Sequence, residues 1–267
     1  MRRFKTEKDS DYFKVVDDAI NAYTWAAVVK LQERKVVEEV LGPVGQGKEA
    51  KLVLARRGDG TYAVLKIFYP VPVRFVKSRY SYLLGDPRFR SLKISDQLHL
   101  VETWCRKEFG NLSRAYSAGV RVPRPYGFYR NVLVMQFIGV DRNPAPLLAE
   151  VGLEGIDDVD HVFHEVVKNL EKTYVAAGLV HGDLSPFNVL YDGENPWFID
   201  WGSAVRRGHP KELEYLRRDV ERVLEFFGNP LPPHELFKRL VERGAWRGRV
   251  DVDDEGWLLV GGRRLLE

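Results

Sequence analysis

Residues 178–202 contain two short β-rich runs, Val189-Leu190-Tyr191 and Trp197-Phe198-Ile199, separated by the turn-forming stretch Asp192 to Pro196. This pattern folds back on itself as an antiparallel hairpin, and a hairpin brings its two open ends together. Asn188 stands immediately before the first run and Asp200 immediately after the second, so they must be neighbours. Asp183 lies five residues before Asn188 and hangs over the same end on a loop. Asp and Asn ahead of a strand are commonly caps and turn formers, but that explains any one of them better than all three together with His181 and Gly202. The cluster suits an Asp that orients a hydroxyl and takes its proton, beside two oxygen ligands for magnesium. That cation takes few protein ligands and keeps water and phosphate oxygens. His181 fits a hydrogen-bonded brace for the loop better than a proton carrier, because Asp183 already fills that role.

The amino-terminal half supplies a second set of residues. Phe13, Val16, Ile20, Tyr23, Ala27 and Leu31 recur at three- and four-residue steps and predict one or two amphipathic helices over 11–35. Two β-rich runs follow, with Gly42-Pro43-Val44-Gly45-Gln46-Gly47-Lys48-Glu49-Ala50 leading into Lys51 to Ala55, a turn at Arg56 to Gly60, and Thr61 to Phe68. Gly42 and Gly47-Lys48 have Walker spacing, but Glu49 replaces the metal-binding hydroxyl and the following sequence is strand-like, where a P-loop requires a helix. Gly45-x-Gly47-x-x-Ala50 approximates instead a loop that joins two strands and covers nucleotide phosphates.

Lys66 is a cation inside the apolar run Ala63 to Phe68. A helix from about residue 96 to Ala118, capped by Ser95 or Asp96 and ended by Gly119, has the apolar stripe Val101, Trp104, Leu112, Ala115. Glu108 falls on that stripe and therefore faces the core, where a carboxylate is costly without a paired cation. Lys66 is its natural partner, and a strand lysine held by a helix glutamate is a known way to fix a phosphate-binding lysine. Pro123 and Pro125 break the pattern before the strand Val132 to Gly139. Backbone groups at Met135, Gln136, Phe137 and Ile138 are placed to hydrogen-bond an adenine. Further helices are expected near 158–177, stopped by Gly178, and over 209–227, with Leu213, Leu216, Val220, Val223, Leu224 and Phe227 inward. Alternating residues follow Trp246.

Composition sets outer limits. The 267 residues are 45% hydrophobic and 30% charged, enough for one large or two small lobes with real cores. No apolar stretch approaches the ~18 residues of a membrane span, and Met1 to Ser10 lacks the apolar core of a secretory signal. Cytoplasmic residence is therefore expected. A lone cysteine, Cys105, excludes an internal disulfide and a Cys-based zinc site. The balance of 41 basic and 38 acidic residues is too even to mark a nucleic-acid binder. A local run does fit RNA phosphates: Arg74, Lys77, Arg79, Arg88, Arg90 and Lys93 interleave with Phe75, Tyr80, Tyr82 and Phe89.

Together these motifs resemble the RIO family of atypical kinases. Lys14 to Asp18 with the following helix resembles the lead-in of its type-one-like branch, and Gly47-Lys48-Glu49-Ala50 its phosphate loop. Arg88-Phe89-Arg90 and Trp104-x-x-Lys107-Glu108-x-x-Asn111-Leu112 are similar to its mobile segment and glutamate helix. Pro144-Ala145-Pro146-x-Leu148, His209-Pro210 and Arg218-Asp219 complete the likeness. A helical rather than winged lead-in favours that branch. Three departures are Gly45-Gln46 for Ser-Thr, Gln136 for a hinge Glu, and Trp201-Gly202 after the metal aspartate.

The resemblance implies an α+β, two-lobed protein-kinase-like fold: a helical extension over 1–40, an N-lobe over 41–138 with a mobile segment at about 70–97, and a C-lobe over 139–267. Only 67 residues follow Asp200, without an Ala-Pro-Glu motif, so the usual activation segment and peptide-docking subdomains are not expected. It also implies a serine/threonine phosphotransferase that uses ATP with Mg2+ or Mn2+. Gly45, Gln46, Gly47, Lys48, Glu49, Lys66 and Met135 to Ile138 would take the nucleotide, Asn188 and Asp200 the metal, and Lys66, Glu108 and Asp183 the catalysis. Asp200 could itself accept the phosphoryl group in an ATPase-like cycle. The implied partner is the pre-ribosomal small subunit, both rRNA and proteins. Rival readings are an aminoglycoside- or choline-type small-molecule kinase, which the basic Arg206, Arg207 and His209 oppose; the small kinase of the KEOPS tRNA-modification complex; and an ATP-gated ribosome assembly factor.

Overall fold

The computed structural model describes residues 22–47, 49–69, 82–83, 85–89, 97–244, 250–252, 258–260 and 263–264. Phe13, Val16, Ile20, Lys48, Ser95, Asp96, Trp246, most of 70–97, and the cations Arg74, Lys77, Arg79, Arg90 and Lys93 lie outside them. The chain forms two compact units. One comprises Met1–Phe75, Ile94–Phe109 and Arg124–Pro144, and the other Val76–Lys93, Gly110–Pro123 and Ala145–Glu267.

The first unit is built on a five-stranded antiparallel sheet. Its strands β1 (Glu39–Gln46), β2 (Ala50–Arg56), β3 (Tyr62–Phe68), β4 (Pro125–Tyr129) and β5 (Val132–Gln136) lie in the order β1-β2-β3-β5-β4. Helix α1 (Ala22–Glu33) buries Ala27, Val28 and Leu31 in one core cluster with Ala63, Leu65 and Ile67 of β3 and Val132 and Val134 of β5. Strand side chains alternate between faces, so Val64, Lys66 and Phe68 point to the other side. The glycine-rich loop is shorter than expected. Gly45 and Gln46 are strand residues opposite Leu52 and Lys51, and the connection to β2 is closed by Gly47 N–H donating to the Ala50 carbonyl at 2.9 Å. The expected break at Pro125 is also corrected: Pro125 begins β4. Proline lacks a ladder donor and is confined to edges and strand starts, and both strands that contain one, β1 with Pro43 and β4 with Pro125, are the edges of this sheet.

Helix α2 (Gln97–Ser117) follows the predicted stripe, with Val101, Trp104, Glu108, Leu112 and Ala115 all buried, and ends at Gly119 in the left-handed region. The second unit contains α3 (Leu148–Val151), α4 (Val159–Glu171), α5 (Glu212–Phe226) and α6 (Pro233–Arg243). Asp158 caps α4 by accepting from the His161 N–H, and the helix closes through a π-helical turn, Lys172–Ala176, before Gly178. β6 (Leu179–Val180) pairs with β9 (Val205–Arg206), and between them β7 (Val189–Tyr191) pairs with β8 (Pro196–Phe198) as the anticipated hairpin. The tail forms an antiparallel ladder of β10 (Val250–Val252), β11 (Leu258–Val260) and β12 (Arg263–Arg264). Among the described residues no helix is long and apolar enough to cross a membrane.

Candidate active site

In the first unit Lys66 Nζ donates to Glu108 Oε1 at 2.7 Å, with the residues only 8% and 1% exposed. β3 places the lysine on the face opposite α1, and α2 delivers the carboxylate from its core stripe. Cys105, one turn earlier, is buried, and burial followed by the Glu108 charge pushes its thiol well above the ordinary range. It therefore stays protonated and unreactive. Met135, Gln136 and Phe137 run along and past the end of β5. The Gln136 N–H donates to the Arg124 carbonyl at 2.8 Å, while its side-chain Oε1 accepts from the Arg124 N–H at 3.2 Å. The residue that replaces the hinge Glu is thus engaged with Arg124. The Phe137 N–H donates to Tyr62 at 3.5 Å, and Ile138 is buried. Glu49 accepts from the Tyr69 N–H through its carbonyl at 3.0 Å.

In the second unit the hairpin register brings Asn188 to Ile199, whose N–H donates to the Asn188 carbonyl at 3.0 Å, with Asp200 next in sequence. Asn188 Nδ2 donates to the Asp183 carbonyl at 2.7 Å, which leaves its Oδ1 as the atom available to a cation. Asp200 has φ +62°, a left-handed conformation that Asp tolerates better than most residues and that is characteristic of functional loops. Gly182 has φ +79°, and a Cβ there would lie 2.8 Å from the Ser203 carbonyl oxygen, so only glycine fits between His181 and Asp183. His181 is buried. Its Nε2 donates to the Ile199 carbonyl at 2.9 Å and its ring packs on Trp201 at 4.8 Å, as a brace.

Three further residues hold this loop, Asn111 and Asp219 from segments that carry the family resemblance and Arg222, which no motif marks. Asn111 Nδ2 donates to the Trp201 and Ala204 carbonyls at 2.9 and 2.8 Å, tying the segment after Asp200 to α2. Asp219, fully buried on α5, accepts the Gly182 and Leu184 N–H groups at 2.7 and 2.9 Å. Arg222 Nη1 donates to Asp183 Oδ1 at 2.7 Å. Burial raises the Asp219 carboxyl from 3.8 to about 7, against the pull of its two backbone donors and Arg218. With the folded value above the unfolded one, its contribution to stability is full below about pH 4 and is lost as pH rises through about 7. The expected slope is roughly 1.4 kcal/mol per pH unit. Urea unfolding from pH 5 to 8 should show that decline, and Asp219→Asn should flatten it; an unchanged slope in the variant would refute the assignment.

The basic residues after Asp200 do not form an outward charged face. Arg207 bonds the Gly244 carbonyl, and its Nε lies 3.9 Å from Glu212. His209 is buried against Tyr215, and burial lowers the Arg206 guanidinium. Arg88 is likewise turned inward, bonding the buried Asp86 at 2.6 Å.

The RIO domain family model matches residues 52–239. A RIO-type serine/threonine-protein kinase Rio1 of Haloferax volcanii is 42% identical over 221 residues, which cover 82% of this chain and 74% of that protein. The human serine/threonine-protein kinase RIO1 is 34% identical over 230 residues, 83% of this chain and 40% of the human one. The Rio2 kinase of Chaetomium thermophilum is similar in structure, with a TM-score of 0.63 at 24% identity over 82% of this chain and 67% of that one; its ADP/Mg2+-phosphoaspartate complex gives 0.61 at 22%, over 83% and 66%. These likenesses give the protein-kinase-like α+β fold, and the sequence match gives the family. The chain belongs to the RIO domain family of serine/threonine-protein kinases, on the side of its Rio1 relatives.

Proposed function

We propose that this chain binds ATP with magnesium and transfers the γ-phosphoryl group to a serine or threonine hydroxyl. The observation that carries this is the buried Lys66–Glu108 pair, because a lysine so held keeps its charge and direction for phosphate oxygens. Lys66 contacts the α- and β-phosphates; Gly45 to Glu49 cover them, and Met135 to Ile138 take the adenine. Asn188 Oδ1 and the Asp200 carboxylate hold the metal. Among the described residues no group of three or more His, Cys, Asp or Glu could hold a cation unaided, and two hard oxygens suit a magnesium that completes its shell with phosphate and water. When bound between these two side chains, the metal would supply charge neutralisation for the phosphates. Asp183 orients the acceptor and takes its proton. Residues 1–40, 41–138 and 139–267 serve as extension, N-lobe and C-lobe.

The partner we propose is the pre-ribosomal small subunit, in the cytoplasm. Its support is a run of arginines on the β4 edge of the first unit. Arg34 stacks over Tyr129 at 4.8 Å, Arg57 over Tyr126 at 4.0 Å, and Arg130 over Tyr23 at 4.6 Å, and such planar cations suit RNA phosphates and bases. The phosphoaspartate captured in the Rio2 relative suggests that Asp200 is the residue phosphorylated when the enzyme turns over as an ATPase. The test is incubation with ATP and Mg2+, with and without small subunits, followed by mass spectrometry. Phosphoserine or phosphothreonine is the expected product. ADP release with phosphoaspartate alone would favour an ATP-gated assembly factor, and indifference of subunit binding to salt would remove the RNA contact.

A further inference from the structure

Helix α5 reaches the Asp183 loop along one face. Asp219 accepts the N–H groups of Gly182 and Leu184, the residues on either side of Asp183. Arg218 donates to the Gly182 carbonyl at 2.5 Å. Three residues beyond Asp219, and so on the same face, Arg222 holds Asp183 Oδ1 at 2.7 Å. The other oxygen, Oδ2, lies 3.4 Å from Asn188 Nδ2. A groove of 450 Å³ opens at this carboxylate, lined by Ser185, Phe187, Arg222, Glu225 and Phe226. The Arg222 and Asp183 side chains are 39% and 48% exposed, and a solvated pair of this kind contributes little to stability. Folding energy therefore does not account for an arginine on this carboxylate.

We propose that Arg222 is the positioning residue for Asp183, fixing one carboxylate oxygen so that the remaining lone pairs face the groove, and that the acceptor hydroxyl enters through this groove. The proposal rests on the reading of Asp183 as the base. In the step concerned, the acceptor oxygen bonds to the γ-phosphorus of ATP. The bond from that phosphorus to the β–γ bridging oxygen breaks, its electron pair leaving on ADP, and the hydroxyl proton passes to Asp183. A carboxylate free to rotate presents its lone pairs in many directions; one gripped by a planar guanidinium, itself anchored on a helix that also holds the adjacent backbone, presents them in one.

The experiment is steady-state ADP release by the full chain with Mg2+ and dephosphorylated casein. Arg222→Gln should lower kcat by about ten-fold or more with KM for ATP changed less than about two-fold. Arg222→Lys, which keeps a charged donor, should recover most of the loss. The double variant Asp183→Asn/Arg222→Gln should be no slower than Asp183→Asn, because Arg222 acts through Asp183. A wild-type kcat in Arg222→Gln, a loss confined to KM, or additive losses in the double variant would each overturn the positioning role. Wild-type turnover in Asp183→Asn would bring down the reading of Asp183 itself, and the role of Arg222 with it.

Discussion

Asp200→Asn should lower ATP turnover by about three orders of magnitude while the protein still folds. The magnitude follows from the role: a cation at the transferring phosphates stabilises the transition state by several kcal/mol, and each 1.36 kcal/mol is ten-fold in rate. The substitution is chosen for the backbone. At φ +62° an asparagine is accommodated about as well as an aspartate, whereas alanine would add left-handed strain to the chemical loss. The melting temperature of Asp200→Asn should therefore stay within ~2 °C of wild type. Asp183→Ala, measured alongside it, should lose about 10²- to 10⁴-fold, the range for a general base. Undiminished turnover in both would refute the placement of base and metal.

Much of this site was legible in the sequence because two periodicities exposed it. The hairpin register follows from two apolar triplets around a turn, and it forces Asn188 and Asp200 together. Glu108 betrays itself as a carboxylate at a core position of a 3.6-residue stripe, and burial then demands a cation. The same reasoning applies to α5. Asp219 and Glu212 sit on the stripe with Leu216, Val220 and Val223, and both are buried, Asp219 on two backbone N–H groups and Glu212 on the Tyr174 hydroxyl at 2.7 Å. Helix α6 also shows its signals, Pro233 in the first turn and Leu236, Phe237, Leu240 and Val241 inward.

Other features have no local signature. Strand β4 is masked by its leading proline, because whether a proline ends a strand or begins an edge depends on which neighbours the strand acquires. Arg222 reads as one of several charges on an amphipathic helix, and only the folded loop shows that it meets Asp183. The outward charge expected of Arg207 and His209 is absorbed by carbonyl, carboxylate and aromatic partners that sequence proximity does not reveal.

Glu108→Gln tests the Lys66–Glu108 pair of the first unit, and its largest effect should be on stability. The substitution is nearly isosteric but removes the negative charge beside an ammonium that is 8% exposed. Breaking one side of a buried ion pair costs about 3–5 kcal/mol, a fall of roughly 10 °C in melting temperature for a chain of this size. The pair itself need not be strongly stabilising, since desolvating two ions offsets most of their attraction. Lys66→Met/Glu108→Leu should therefore melt closer to wild type than Glu108→Gln does, although it loses more polar contacts. ATP turnover should separate the two effects: the double variant regains stability but not activity, because no cation remains to meet the phosphates. A melting temperature within ~1 °C of wild type in Glu108→Gln would show that the ion pair is not what holds Lys66. Recovered turnover in the double variant would show that Lys66 is not the residue that meets the nucleotide.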